Sequence, residues 1–157
     1  MHKGANLHGG EFGYMLLRPD LSEENITWSA TASTAALIRH VAAEKQVDNR
    51  SLTGEAIFDM AEAGDLVCLK AIERFYHHLA VGIYNLQYIY DPEVILIGGG
   101  ISARPDLIDK IDEKLAMILR KVDIATVKPK IAACHFRQNA NLLGAVYGLL
   151  KQLYPSL

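Results

Sequence analysis

Two cysteines among 157 residues are too few for a disulfide framework. Cys68 and Cys134 stand far apart in apolar surroundings, so both thiols are expected to be reduced and buried, in a cytoplasmic setting. No apolar run approaches the ~20 residues that cross a bilayer, and no membrane partner is expected. The opening stretch MHKGANLHGG lacks the apolar core of a signal peptide, so nothing in it directs export. Excess charge is also missing. A net charge of -2 gives no electrostatic reason to expect nucleic acid or an anionic surface. The rest is ordinary for a globular chain: 50% hydrophobic and 22% charged residues, enough for one domain with a real core.

The first 28 residues are glycine-rich and irregular, with a strand expected at Tyr14–Arg18 and a solvated loop over PDLSEEN. Helices are expected from about Thr31 to Glu44 and from about Gly54 to Ala63. Gly64 then breaks the pattern, and Asp65 is placed to cap the next helix. From Asp65 to Tyr90 the apolar residues Leu69, Ile72, Tyr76, Leu79, Ile83, Leu86 and Tyr90 recur at three and four, which predicts one long helix with a buried stripe. Its neighbours His77 and His78 fall at the border of that stripe.

Val94–Ile97 is a short apolar run between Pro92 and a triple glycine, the pattern of a strand buried on both faces. Pro105 suits the first turn of a following helix with stripe Leu107/Ile108, Ile111, Leu115 and Ile118. A second strand is expected at Lys130–Ala133. A last helix, Asn141–Leu153, is expected to carry Leu142, Val146, Leu149 and Leu153 inward; Gly144 and Gly148 on it would permit close packing. Strand, helix, strand, helix implies a parallel β-α-β unit whose ligands bind beyond the carboxyl ends of the strands. Gly98, Gly99 and Gly100 lie at such an end. Two readings of the run stay open: a tight turn with no ligand, or bare backbone against which a ligand lies.

GANLHGGEFGYM (Gly4–Met15), DPEVILIGGGIS (Asp91–Ser102) and NLLGAVYGLL (Asn141–Leu150), in this order and spacing, resemble the C-terminal half of the ROK family of repressors and sugar kinases. The resemblance covers nearly the whole chain and about half of a typical member. It implies an α/β fold, the ribonuclease-H-like C-terminal lobe of the actin-like ATPase superfamily, helix-rich with a small, partly truncated mixed sheet, over residues 1–157. By the same resemblance Glu11 matches a glutamate that accepts hydrogen bonds from sugar hydroxyls, with His8 and Tyr14 beside it in the substrate site. Gly98, Gly99 and Gly100 match the turn on which ATP, with Mg, lies. The catalytic aspartate and the phosphate-binding hairpin belong to an N-terminal lobe these residues do not include, so the chain alone is expected to be inactive.

Departures from the family pattern matter too. Tyr14 stands where the family has a zinc-ligating histidine, and LSEENITW contains none of the three cysteines that complete that zinc site. No zinc is therefore expected. No acid in TWSATAS aligns with the family's second substrate glutamate; Trp28 either stacks on a sugar face or belongs to the core. The resemblance implies two functions: a domain of an ATP-dependent sugar kinase, or the sugar-sensing half of a transcriptional repressor, which would bind DNA only through an upstream helix-turn-helix. Four helical stripes against about three strands, together with the family's dimers, lead to an expected homodimer or higher oligomer.

Overall fold

The computed structural model describes residues 4–18, 20–22 and 24–155, which fall into two units divided inside a helix, between Gly82 and Ile83. In the first unit, α1 (Trp28–Ala32), α2 (Thr34–Lys45) and α3 (Gly54–Glu62) pack with the leading part of α4 (Leu66–Tyr90). The single helix expected over Thr31–Glu44 is two helices. Ser33 is extended (φ -103, ψ 159), and its hydroxyl oxygen accepts the Ala36 amide at 3.1 Å. A serine with a backbone donor in reach competes with helix continuation, and here it ends α1 and caps α2. Thr27 and Thr53 cap α1 and α3 in the same way, accepting from Ala30 and Ala56. Asp65 caps α4 by accepting the Cys68 amide at 3.0 Å.

The strand expected at Tyr14–Arg18 does not form. Phe12–Tyr14 is a 3-10 turn, and the segment pairs only through an antiparallel bridge between Leu16 and Thr27. The chain leaves that pairing at once, because Trp28 already begins α1. Of the loop PDLSEEN, Pro19 and Glu23 lie outside the described residues; Asp20–Ser22 is a turn held by the Ser22 amide and hydroxyl, both donating to Asp20.

The first unit's core joins Leu37 and Val41 of α2, Ile57 and Phe58 of α3, and Cys68, Ile72, Phe75 and Tyr76 of α4. Burying one such aliphatic side chain contributes about 1.5–3 kcal/mol before entropy is counted. Phe75 meets Tyr76 edge-on at 5.5 Å between ring centroids. The stripe expected along α4 is wider than its heptad-like spacing: Cys68, Ala71 and Ala80 are buried with it, whereas Leu69 and Tyr90 are exposed.

In the second unit α4 ends with Gln87, buried and donating to Asp91, whose positive φ of 43 turns the chain. β1 (Ile95–Ile97) follows, then α5 (Leu107–Lys121), β2 (Ile131–Ala133) and α6 (Ala140–Leu153). β1 and β2 are parallel neighbours in the register Ile95↔Ile131, Leu96↔Ala132, Ile97↔Ala133. The β-α-β unit is thus as expected, with Leu107, Ile111 and Leu115 of α5 fully buried. Pro105 stands just before the Asp106 cap rather than in the first turn.

Three burial expectations fail. Leu96 is 60% exposed, since alternate residues of a strand face opposite sides and only the Ile95/Ile97 side of this two-stranded sheet is partly covered. None of α6 is buried: Leu142, Val146, Leu149 and Leu153 all face solvent, and a Cβ at Gly144 or Gly148 would meet nothing within 4 Å. Cys134 is only half-buried, although Cys68 is fully buried. The helical spacing marks where apolar residues share a helix face but carries no information on what lies against that face.

Candidate functional site

Gly4–Met15 folds into consecutive tight turns that gather His8, Glu11 and Tyr14. The His8 carbonyl accepts the Glu11 amide at 3.1 Å, and the Glu11 carbonyl accepts the Tyr14 amide at 3.2 Å. The rings of His8 and Tyr14 are 6.3 Å apart and inclined at 53°. Nδ1 of His8 donates to the Asn6 carbonyl at 2.7 Å, which leaves Nε2 as the acceptor in the neutral ring. Glu11 is exposed, so its carboxylate is accessible to hydroxyl donors. Gly13 lets this turn lie against α1: a Cβ there would sit 3.1 Å from that of Ser29. Ser29, an exposed residue at the start of α1, thereby lies against this turn; nothing in its spacing marked it.

Trp28 takes a structural position. Its indole Nε1 donates to the His78 carbonyl at 3.0 Å, and its ring fills the space where Gly82 lacks a side chain. The ring is part of the packing of α1 on α4, not an open platform for a ligand.

In the second unit the three glycines divide the work. Gly98 packs against the chain: a Cβ would lie 3.3 Å from Cys134 Sγ. Gly99 makes the turn, with φ 81 and ψ -177, a conformation nearly confined to glycine. Gly100 opens a short 3-10 turn, Gly100–Ala103. A Cβ on Gly99 or Gly100 would meet nothing within 4 Å, so the backbone here is bare and exposed. Buried Ser102 fixes the turn by donating its amide and its hydroxyl to the Gly99 carbonyl, at 3.1 and 2.7 Å. The Cys134 amide donates to the Ile97 carbonyl and ties the ends of β1 and β2 together. A rigid, side-chain-free turn at the carboxyl end of a parallel strand fits an anionic ligand such as a nucleotide.

Tyr14 offers no zinc-binding nitrogen, and among the described residues no three His, Cys, Asp or Glu side chains are grouped as a metal would require. No described helix is long and apolar enough to cross a membrane.

The family model described as ROK family matches residues 1–152. A β-glucoside kinase of Klebsiella pneumoniae is 36% identical over 155 residues, 98% of this chain and 50% of that protein. A β-glucoside kinase of Listeria innocua is 37% identical over 153 residues, covering 96% of this chain and 50% of its own length. Among solved structures, a ROK family protein from Streptococcus pneumoniae in complex with sucrose superposes with a TM-score of 0.87 at 37% identity, over 96% of this chain and 51% of that one. The chain spans about half the length of the curated relatives it matches.

Proposed function

The chain belongs to the ROK family, and from that premise we propose that residues 1–157 are the C-terminal lobe of an ATP-dependent sugar kinase. Glu11, with His8 and Tyr14, would accept and orient sugar hydroxyls; Gly98, Gly99 and Gly100 would receive the nucleotide. The observation that carries this reading is the bare, rigid turn at Gly99–Gly100, in a chain whose relatives include two β-glucoside kinases. Mg-ATP supplies the phosphoryl group when bound. This chain's part is to present unobstructed backbone donors to it and a carboxylate to the sugar, so that positioning supplies the rate. The catalytic base is assigned to an N-terminal lobe, and the chain alone is inactive on this reading. No structural zinc takes part.

The test is a coupled assay of ATP-dependent phosphorylation of a β-glucoside by this chain joined to the upstream half that its relatives carry. Glu11→Gln is expected to raise the sugar KM about tenfold or more, since a carboxylate acceptor becomes a poorer amide one. Sugar-dependent ADP release that is absent from the joined protein, but replaced by sugar-dependent DNA binding, would establish the repressor reading instead.

A further inference from the structure

β1 and β2 run parallel, so the turns that follow them, residues 98–103 and 134–139, leave the sheet at the same end. The two turns touch. A Cβ on Gly98 would lie 3.3 Å from Cys134 Sγ and 3.9 Å from the Arg137 carbonyl oxygen. The second turn is closed by its own backbone: the Arg137 amide donates to the Cys134 carbonyl at 3.0 Å, and the Asn139 amide to the Phe136 carbonyl at 2.8 Å. Packing leaves three of its features without a reason. Phe136 is 56% exposed, its ring set at 85° and 5.0 Å from that of His135. Arg137 is exposed too, and its guanidinium has no hydrogen-bond or ion-pair partner among the described residues. Its φ of 47 is a left-handed conformation that costs any residue with a Cβ, and that glycine would adopt freely. An arginine held in such a conformation at a strand end marks a position where the side chain is used.

We propose that the turn after β2 is the second wall of the nucleotide site, with the Phe136 ring stacking on the base and the Arg137 guanidinium pairing with a phosphate. The inference rests on the reading of Gly98, Gly99 and Gly100 as the turn that receives the nucleotide, and names the side chains that hold it there. Bare backbone permits close approach but supplies neither a full charge nor a flat surface. The neighbouring turn carries one of each. The Arg137 carbonyl beside Gly98 roots its long side chain next to the glycine turn, so the guanidinium can reach a phosphate lying on Gly99 and Gly100. A guanidinium fork matches two phosphate oxygens at once. An uncovered phenyl ring stacks on the face of a base without reading its edge, so affinity follows the presence of a base and not its identity.

Isothermal titration with ADP, adenosine and tripolyphosphate, on this chain joined to the upstream half that its relatives carry, provides the test. Arg137→Gln should weaken ADP and tripolyphosphate about tenfold and leave adenosine unchanged, as loss of a charge-assisted contact does. Phe136→Ala should weaken ADP and adenosine about tenfold and leave tripolyphosphate unchanged, as loss of a stacking surface does. Both side chains are exposed, so neither substitution removes core packing. Arg137→Gly separates function from folding: it relieves the positive φ and should raise the melting temperature while weakening ADP as Arg137→Gln does. A glycine variant that binds ADP as the native protein does would make Arg137 a turn residue only and overturn the inference. So would equal losses for all three ligands in either variant, or native adenosine binding too weak to detect at millimolar concentration. Gly100→Val reports on the underlying reading. If it weakens ADP while Phe136→Ala and Arg137→Gln do not, the glycine turn stands and the second wall falls; ADP binding indifferent to all three substitutions overturns both.

Discussion

Trp28 occupies the side-chain space of Gly82: a Cβ placed on that glycine would lie 2.0 Å from the indole Cε2. The long helix α4 thus carries a glycine in its second half because a large ring from α1 is packed onto its backbone. The indole's bond to the His78 carbonyl, one turn earlier, fixes the ring there.

Gly82→Ala is accordingly expected to destabilise the fold by about 1–3 kcal/mol, as overpacking of a rigid ring does, despite alanine's better helix propensity. Gly144→Ala, at an open position of α6, should stabilise by about 0.5–1 kcal/mol. Paired thermal melts read both. A gain in stability from Gly82→Ala would show that α1 and its ring give way freely.

The Lys45–Asp65 pair gives stability a pH dependence. A hydrogen bond from the Lys45 ammonium, seconded by the Cys68 amide, lowers the Asp65 carboxyl from its ordinary value to about 2. A carboxyl that is more acidic folded than unfolded stabilises the fold above its ordinary value of 3.8, and loses that effect as pH falls toward about 2. Asp65→Asn should therefore melt lower than the native chain at pH 7, with the gap closing between roughly pH 4 and pH 2. A gap independent of pH would mean that the carboxylate acts only by shape.

Much of this arrangement was legible in the residues. Both strands, α3, α4 and α5 follow from apolar spacing bounded by Gly64, Pro92 and Pro129, and the parallel unit follows from their order. The break at Ser33 was hidden because helix-forming residues flank it, and only the hydroxyl's bond to Ala36 ends the first helix. The bridge from Leu16 to Thr27 depends on a loop whose path no periodicity encodes. His8, Glu11 and Tyr14 are singled out only by a family resemblance, whereas Ser29 comes against the same turn only through the missing side chain of Gly13.

Gly99 and Gly100 call for different substitutions. Valine at Gly99 meets a φ of 81, and strain of about 1–3 kcal/mol would lower stability whether or not a nucleotide binds there. Gly100 has neither a positive φ nor a neighbour within 4 Å of a new Cβ. Gly100→Val should then leave the melting temperature nearly unchanged, within about 0.5 kcal/mol of stability, while raising the ATP KM several-fold with the sugar KM intact. An unaltered ATP KM in that folded variant would confine the glycine run to making the turn.

Helix α6 leads to the last expectation. Leu142 is 66% exposed, Leu149 56% and Leu153 62%, and Val146 and Tyr147 stand between them on the same solvent-facing helix. On β1, Leu96 is exposed as well, beside strand edges that have no further partner among the described residues. Apolar surface gathered on one helix, with unpaired backbone on a two-stranded sheet, favours association. The isolated chain is thus expected to form a homodimer or higher oligomer at micromolar concentration, read as particle mass by light scattering. The double substitution Val146→Lys and Leu149→Lys should shift the mass toward a single chain, because two ammonium groups would have to be desolvated in any α6 contact. It removes no buried side chain, so the fold should survive it. A native chain that scatters as one copy across the micromolar range would show that α6 attracts no second copy, and an oligomer indifferent to the double substitution would place the contact elsewhere.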